Sequence, residues 1–154
     1  MQKIKLKKAF YALIFTIITI GLLSFLTYKT NLGIFLLASF GSTMVLLFGY
    51  PESPFAKPKN IFFGHVLTSF IGIIFFKFIS LPIFIIIPAS VALGVALMII
   101  FNVTHPPAGG NPIIMISSSA SFDFLLTPVI SGVILVIIFG YILNRFVVKN
   151  DYPN

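Results

Sequence analysis

Thr104-His105-Pro106-Pro107-Ala108-Gly109-Gly110-Asn111-Pro112 breaks an otherwise apolar chain with an imidazole, three prolines and a glycine pair. In hydrocarbon such a break is tolerated only where protein or water satisfies the backbone groups it frees. A polar, irregular loop between membrane segments is therefore a candidate site.

The setting of that loop follows from composition. The chain has 154 residues, of which 58% are hydrophobic and 8% charged, with mean hydropathy +1.13. In soluble domains about a quarter of residues are charged, and so short a soluble chain could not bury this much Ile, Leu and Phe. The composition specifies an integral membrane protein. The formal charge of +7 is no nucleic-acid footprint, because the lysines cluster at chain ends and loops and no basic stripe carries interleaved aromatics. Such clusters fix topology and touch anionic headgroups. The absence of cysteine excludes disulfides, thiolate metal sites and cysteine nucleophiles. The run Ala9–Tyr28 is too long for a signal-peptide core and lacks a small-x-small cleavage pattern, so it is read as a retained first helix.

A membrane span needs about 20 apolar residues. Five runs approach this: Ala9–Tyr28, Leu32–Phe48, Ile61–Ile79, Pro82–Phe101 and Thr127–Val148. They lack the polar alternation of a membrane β-barrel. The expected fold is all-α, a polytopic transmembrane bundle of five long spans plus one short helix after the His-Pro-Pro loop. It forms a single membrane domain over 1–154, with a basic tail at 1–8 and a C-terminal tail at 149–154. The short segment from Pro106 to Phe122 either crosses or re-enters. If it crosses, Lys3, Lys5, Lys7, Lys8, Lys57, Lys59, Arg145 and Lys149 share one side, against Lys29 and Lys77 on the other. The positive-inside rule favours that arrangement, with both termini cytoplasmic.

Few residues here can carry chemistry. His105 either caps the C-terminus of the fourth helix or acts as an anion contact or proton carrier, since imidazole changes charge near neutral pH; ionisable groups at membrane depth favour function. Pro106 and Pro107 suit a helix start, and the small residues Ala108, Gly109 and Gly110 allow a ligand to approach free backbone N–H groups. The competing reading is a tight interhelical turn. His65, one turn into the third run, is either an interhelical histidine or a second site residue. Lys57 and Lys59 serve topology and headgroup contact, or form a positive vestibule. Ser117–Ser121 offers pore hydroxyls or close packing. Glu52 and Asp123 do not stand at ligand spacing with the two histidines, so neither a metal nor another cofactor is expected, and with so few acid–base groups an enzyme is not expected either.

An internal echo links two parts of the chain. Gly41-x₆-Phe48-x₅-Pro54 recurs as Gly94-x₆-Phe101-x₅-Pro107, each a helix end leading into a proline-rich loop. Both loops would lie on the same side of the membrane and could converge on one site.

Together these stretches resemble the HPP family of integral membrane proteins. The resemblance rests on Gly41-Ser42-x₅-Phe48, Pro51, Ser53-Pro54, Pro58-x-Asn60, Gly64-His65 and Ala96-Leu97-Met98, leading into His105-Pro106-Pro107-Ala108-Gly109. Two departures stand out: Gly110-Asn111-Pro112 replaces the small residues that tend to follow the motif, and Lys57 stands where the family often has glutamine. Members from photosynthetic organisms are implicated in nitrite transport, so the resemblance implies a small-anion transporter or channel. The expected site is His105, Pro106, Pro107, the backbone of Ala108, Gly109 and Gly110, and Asn111, completed by Ser53, Asn60 and His65. Expected partners are the anion, membrane lipids and further copies of the chain in a homo-oligomer, in a bacterial inner membrane. A non-transporting scaffold or assembly subunit is the alternative.

Overall fold

A computed structural model describes residues 2–153. Met1 and Asn154, the outermost residues of the two expected tails, lie outside the described residues. Among the described residues there are six helices and no strand. Helix α1 spans Gln2–Lys29, α2 Ala38–Gly49, α3 Pro58–Phe78, α4 Ile83–Ile100, α5 Asn111–Ser117 and α6 Leu125–Val148. Short 3-10 turns at Pro54–Ala56 and Pro106–Gly110 lead into α3 and α5.

Two boundaries differ from those read in the sequence. Of the basic stretch expected as a tail at 1–8, residues 2–8 belong to α1, because lysine and leucine are good helix formers and no proline or glycine interrupts them. The second apolar run, Leu32–Phe48, does not make a long helix. Gly33 takes φ +116°, a left-handed conformation open to glycine, and the chain stays non-helical over 33–37 before α2 starts. The backbone N–H of Phe35 is met by the Thr27 hydroxyl at 2.9 Å. Four helices, α1, α3, α4 and α6, are long and apolar enough to span a membrane, rather than five. Helix α2 covers only about 18 Å at 1.5 Å per residue.

Side-chain contacts fix the ends of the bundle. Lys8 pairs with Glu52 at 3.3 Å, and the Tyr152 hydroxyl donates to the Ala56 carbonyl at 2.8 Å. The start of α1, the α2–α3 connection and the chain following α6 therefore meet at one end, called here the near end. At the far end, Gly33 packs beside Thr127 and Lys77 lies over the Phe122 ring at 5.8 Å.

These contacts decide how the short segment runs. Its start lies beside Gly64, where a Cβ would meet the His105 Cβ at 2.9 Å. Helix α5 then passes Gly72, where a Cβ would lie 2.7 Å from the Pro112 Cα. Phe122 ends the passage against Phe70 and Lys77. Measured along α3 from Pro58, those glycines lie about 9 and 21 Å deep and Lys77 about 28 Å. The segment crosses the bundle instead of turning back, with its opening turn sunk below the near end. The serines that close it, Ser117 to Ser119, are exposed, so they do not pack between the helices of this chain.

The packing suits lipid surroundings. Phe40, Leu47, Ile61, Ile73, Met115, Val129, Val133 and Val136 are fully buried between helices. Phe10, Ile17, Phe84, Ile99 and Ile100 point outward, a cost in water that vanishes against acyl chains.

Candidate functional site at the His-Pro-Pro turn

Two glycines of α3 let the turn after α4 and the start of α5 approach its backbone, and this brings His105 against His65. Both imidazoles are completely buried. Their ring centroids lie 5.0 Å apart at 83°, and the Phe40 ring lies 5.2 Å from that of His65 at 67°.

One hydroxyl joins the two histidines. Thr43 Oγ1, on α2, lies 3.2 Å from His65 Nε2 and 3.0 Å from His105 Nε2, and 3.1 Å from the Ser39 carbonyl. The outer ring nitrogens also have partners. His105 Nδ1 is 2.8 Å from the Phe55 carbonyl oxygen, and His65 Nδ1 is 3.2 Å from Asn111 Nδ2. Asn111 Nδ2 also donates to Ser69 Oγ at 2.9 Å.

The order of donors follows from the end groups. A carbonyl oxygen can only accept, so His105 Nδ1 carries hydrogen and, in the neutral ring, Nε2 accepts from Thr43. An amide nitrogen can only donate, so His65 Nδ1 accepts and its Nε2 donates to Thr43. The result is a single directed chain: Asn111 to His65, His65 to Thr43, Thr43 to His105, His105 to the Phe55 carbonyl. Every nitrogen of both neutral rings is satisfied, as burial requires. Two polar atoms in the same region have no partner within the protein, Asn111 Oδ1 and Ser39 Oγ.

The structure brings together most of the residues singled out from sequence. His65, His105 and Asn111 form the buried chain. Asn60 joins the two proline turns, donating to the Thr104 carbonyl at 2.9 Å and the Pro54 carbonyl at 3.2 Å. Ser53 caps the first turn, its hydroxyl accepting from Phe55 N at 3.3 Å. Pro106 is exposed and Pro107 half-buried. Of the expected backbone donors, Ala108 N–H is already engaged by the His105 carbonyl at 3.0 Å, and Ala108 is fully buried. Gly109 and Gly110 differ: open space lies where their side chains would be.

Thr43 and Ser69 were not singled out from the sequence. The available signal was Gly41-Ser42-Thr43, a small polar triplet inside an apolar run. Lys57 and Lys59 are exposed. An open recess of about 400 Å³ at the near end is lined instead by Lys7, Lys8, Tyr11, Glu52, Asn144 and Asp151, among others. Beside it the Tyr152 phenol is buried, which pushes its pKa above the usual value and keeps it a donor to Ala56. Glu52 and Asp123 are occupied elsewhere, with Lys8 and with the Ser121 hydroxyl, and no cluster of three metal-ligating side chains occurs among the described residues.

Fold and site together define a multi-pass helical membrane protein with a buried histidine pair under a His-Pro-Pro turn. The chain belongs to the HPP family: the family's transmembrane region matches residues 1–153. It is similar to two transmembrane proteins of Dictyostelium discoideum. One is 30% identical over 144 residues, covering 89% of this chain and 46% of the relative. The other is 29% identical over 125 residues, covering 77% of this chain and 44% of the relative. The chain thus spans less than half the length of these relatives. No solved structure matches it.

Proposed function

We propose that this chain is a transporter or channel subunit for a small inorganic anion, with nitrite the first candidate, and that it is not an enzyme. The observation that carries this reading is the continuous hydrogen-bonded Asn111–His65–Thr43–His105 chain, fully buried in an otherwise apolar bundle. Polar networks at such depth are costly and mark solute pathways. Uncharged donors suit reversible binding of an anion whose charge is spread over two oxygens, and the open space beside Gly109 and Gly110 gives such an anion room next to the turn. We place the near end, with eight of the ten basic residues (all but Lys29 and Lys77), on the cytoplasmic side of a bacterial inner membrane. The chain is small for a complete permeation path, so a homo-oligomer embedded in lipid is the proposed working form.

One observation favours a second reading, that of a non-transporting scaffold or assembly subunit. His105 has no exposed surface and its ring nitrogens are fully partnered within the chain, as a purely structural histidine would be. Under the transport reading this is an occluded state, and the anion reaches the imidazoles when the His-Pro-Pro turn lifts from α3. Uptake into proteoliposomes of nitrite, nitrate, formate, bicarbonate and chloride separates the two readings. Transport predicts flux of at least one anion, reduced by His105→Ala and by Gly109→Leu; a scaffold gives only the rate of protein-free vesicles.

A further inference from the structure

The Thr43 hydroxyl has one hydrogen and two acceptors within reach that need it at different times: His105 Nε2 at 3.0 Å and the Ser39 carbonyl at 3.1 Å. With both rings neutral, the hydrogen points to His105. If His105 takes a proton on Nε2, that nitrogen becomes a donor and the Thr43 hydrogen turns to Ser39. Thr43 Oγ1 then accepts from both imidazoles, using its two lone pairs. In either state the ring nitrogens of both histidines and the Thr43 hydroxyl keep their partners, and no ring or amide has to flip. A buried network satisfied in two protonation states is a built site for one proton.

The charge of that state has no partner in the fold. The aromatic and hydrogen-bonding neighbours of the two rings, apart from each other, are Phe40 and Thr43 of α2, Asn111 of α5 and the Phe55 carbonyl, and Gly64 of α3 lies against the His105 Cβ. The titratable group facing His105 is His65, and neither ion pair found among the described residues involves a histidine. An imidazolium buried without a counter-charge is strongly disfavoured, and so is a buried anion without one. Each offsets part of the penalty of the other.

We propose that His105 is the proton-binding residue of a proton–anion symport, with Thr43 as the positioning hydroxyl, one proton moving with each monovalent anion. This rests on the anion-transport reading above. On loading, water on the entry side gives up a proton, an N–H bond forms at His105 Nε2, and the Thr43 hydrogen moves to Ser39. On release the N–H bond breaks, the proton returns to water on the exit side, and Thr43 again donates to His105. Net charge carried is zero.

The test is nitrite-driven flux by the full chain in liposomes that hold a pH dye, with membrane potential clamped by potassium and valinomycin and protein-free leakage of nitrous acid subtracted. Symport predicts lumen acidification matching nitrite entry one to one, at a rate independent of the clamped potential. Linkage further predicts that nitrite binding tightens as pH falls, approaching about tenfold per unit where His105 is unprotonated without anion. Thr43→Val should flatten that pH dependence and Thr43→Ser should keep it, which loss of packing alone would not produce. Nitrite flux that follows the potential with no acidification overturns the symport and leaves the anion reading standing. Absence of flux for every anion overturns both. The wild-type measurement decides the matter even if Thr43→Val does not fold.

Discussion

Nδ1 of His105 donates to the carbonyl oxygen of Phe55 across 2.8 Å. That bond ties the turn after α4 to the turn after α2, the two proline-rich loops that the internal echo pairs. It also sets the direction of the buried chain, because the carbonyl holds the hydrogen on Nδ1 and leaves Nε2 to accept. The depth and order of the site both depend on how closely the His-Pro-Pro turn and α5 lie against α3.

Gly64 and Gly72 permit that approach. A Cβ at Gly72 would meet the Pro112 backbone at 2.7 Å, which cannot swing aside, and one at Gly64 would meet the His105 Cβ at 2.9 Å. Gly72→Ala and Gly64→Ala should each destabilise the protein by about 1–3 kcal/mol, as overpacking does, visible as a lower melting temperature in detergent. Gly109→Ala and Gly110→Ala, which enter open space, should change it by no more than about 0.5 kcal/mol.

Thr43 satisfies two buried imidazoles at once. Thr43→Val keeps the shape and removes the hydroxyl, leaving His105 Nε2 without a donor and His65 Nε2 without an acceptor. The expected loss is about 1–3 kcal/mol per unpaired group, read in the same melting assay, and Thr43→Ser should recover most of it.

The sequence carried much of this. The apolar runs located the four long helices, and the proline break marked where the chain sinks into the bundle. His65, Asn60 and Asn111 were candidates beside His105: His65 meets its ring, Asn111 reaches it through His65 and Thr43, and Asn60 bonds the carbonyl of the preceding Thr104. Other features depended on tertiary packing. A threonine such as Thr43 in an apolar helix ordinarily bonds the carbonyl four residues back, and its meeting with two histidines depends on how α2 docks. The late start of α2 turned on the φ of Gly33, which hydropathy does not encode. Ala108 looked like a free donor because prolines open the helix, yet the 3-10 turn uses its N–H locally.

The near end is closed partly by the chain that follows α6. Tyr152→Phe removes the bond from the phenol to the Ala56 carbonyl and should cost about 0.5–1.5 kcal/mol. Replacing Lys8 by Ala, which breaks an exposed pair with Glu52, should cost less than about 1 kcal/mol. Comparing the two melting temperatures checks that the buried hydroxyl, and not the surface ion pair, holds this end.

Crossing by α5 places the start of α6 at the far end and the chain that follows α6 at the near end. Single cysteines at Glu52 and Asn150 should react with a membrane-impermeant maleimide from one side of sealed vesicles, and those at Ser80 and Ser119 from the other. Labelling of Ser119 from the same side as Glu52 would mean that the short segment re-enters.

If the buried histidine chain serves anion movement, it shows in the initial nitrite uptake of proteoliposomes carrying wild-type protein or His105→Ala. Wild type should take up nitrite well above protein-free vesicles, and His105→Ala protein that still melts cooperatively should fall toward that background. Equal uptake by the two proteins, or none by either, would contradict it.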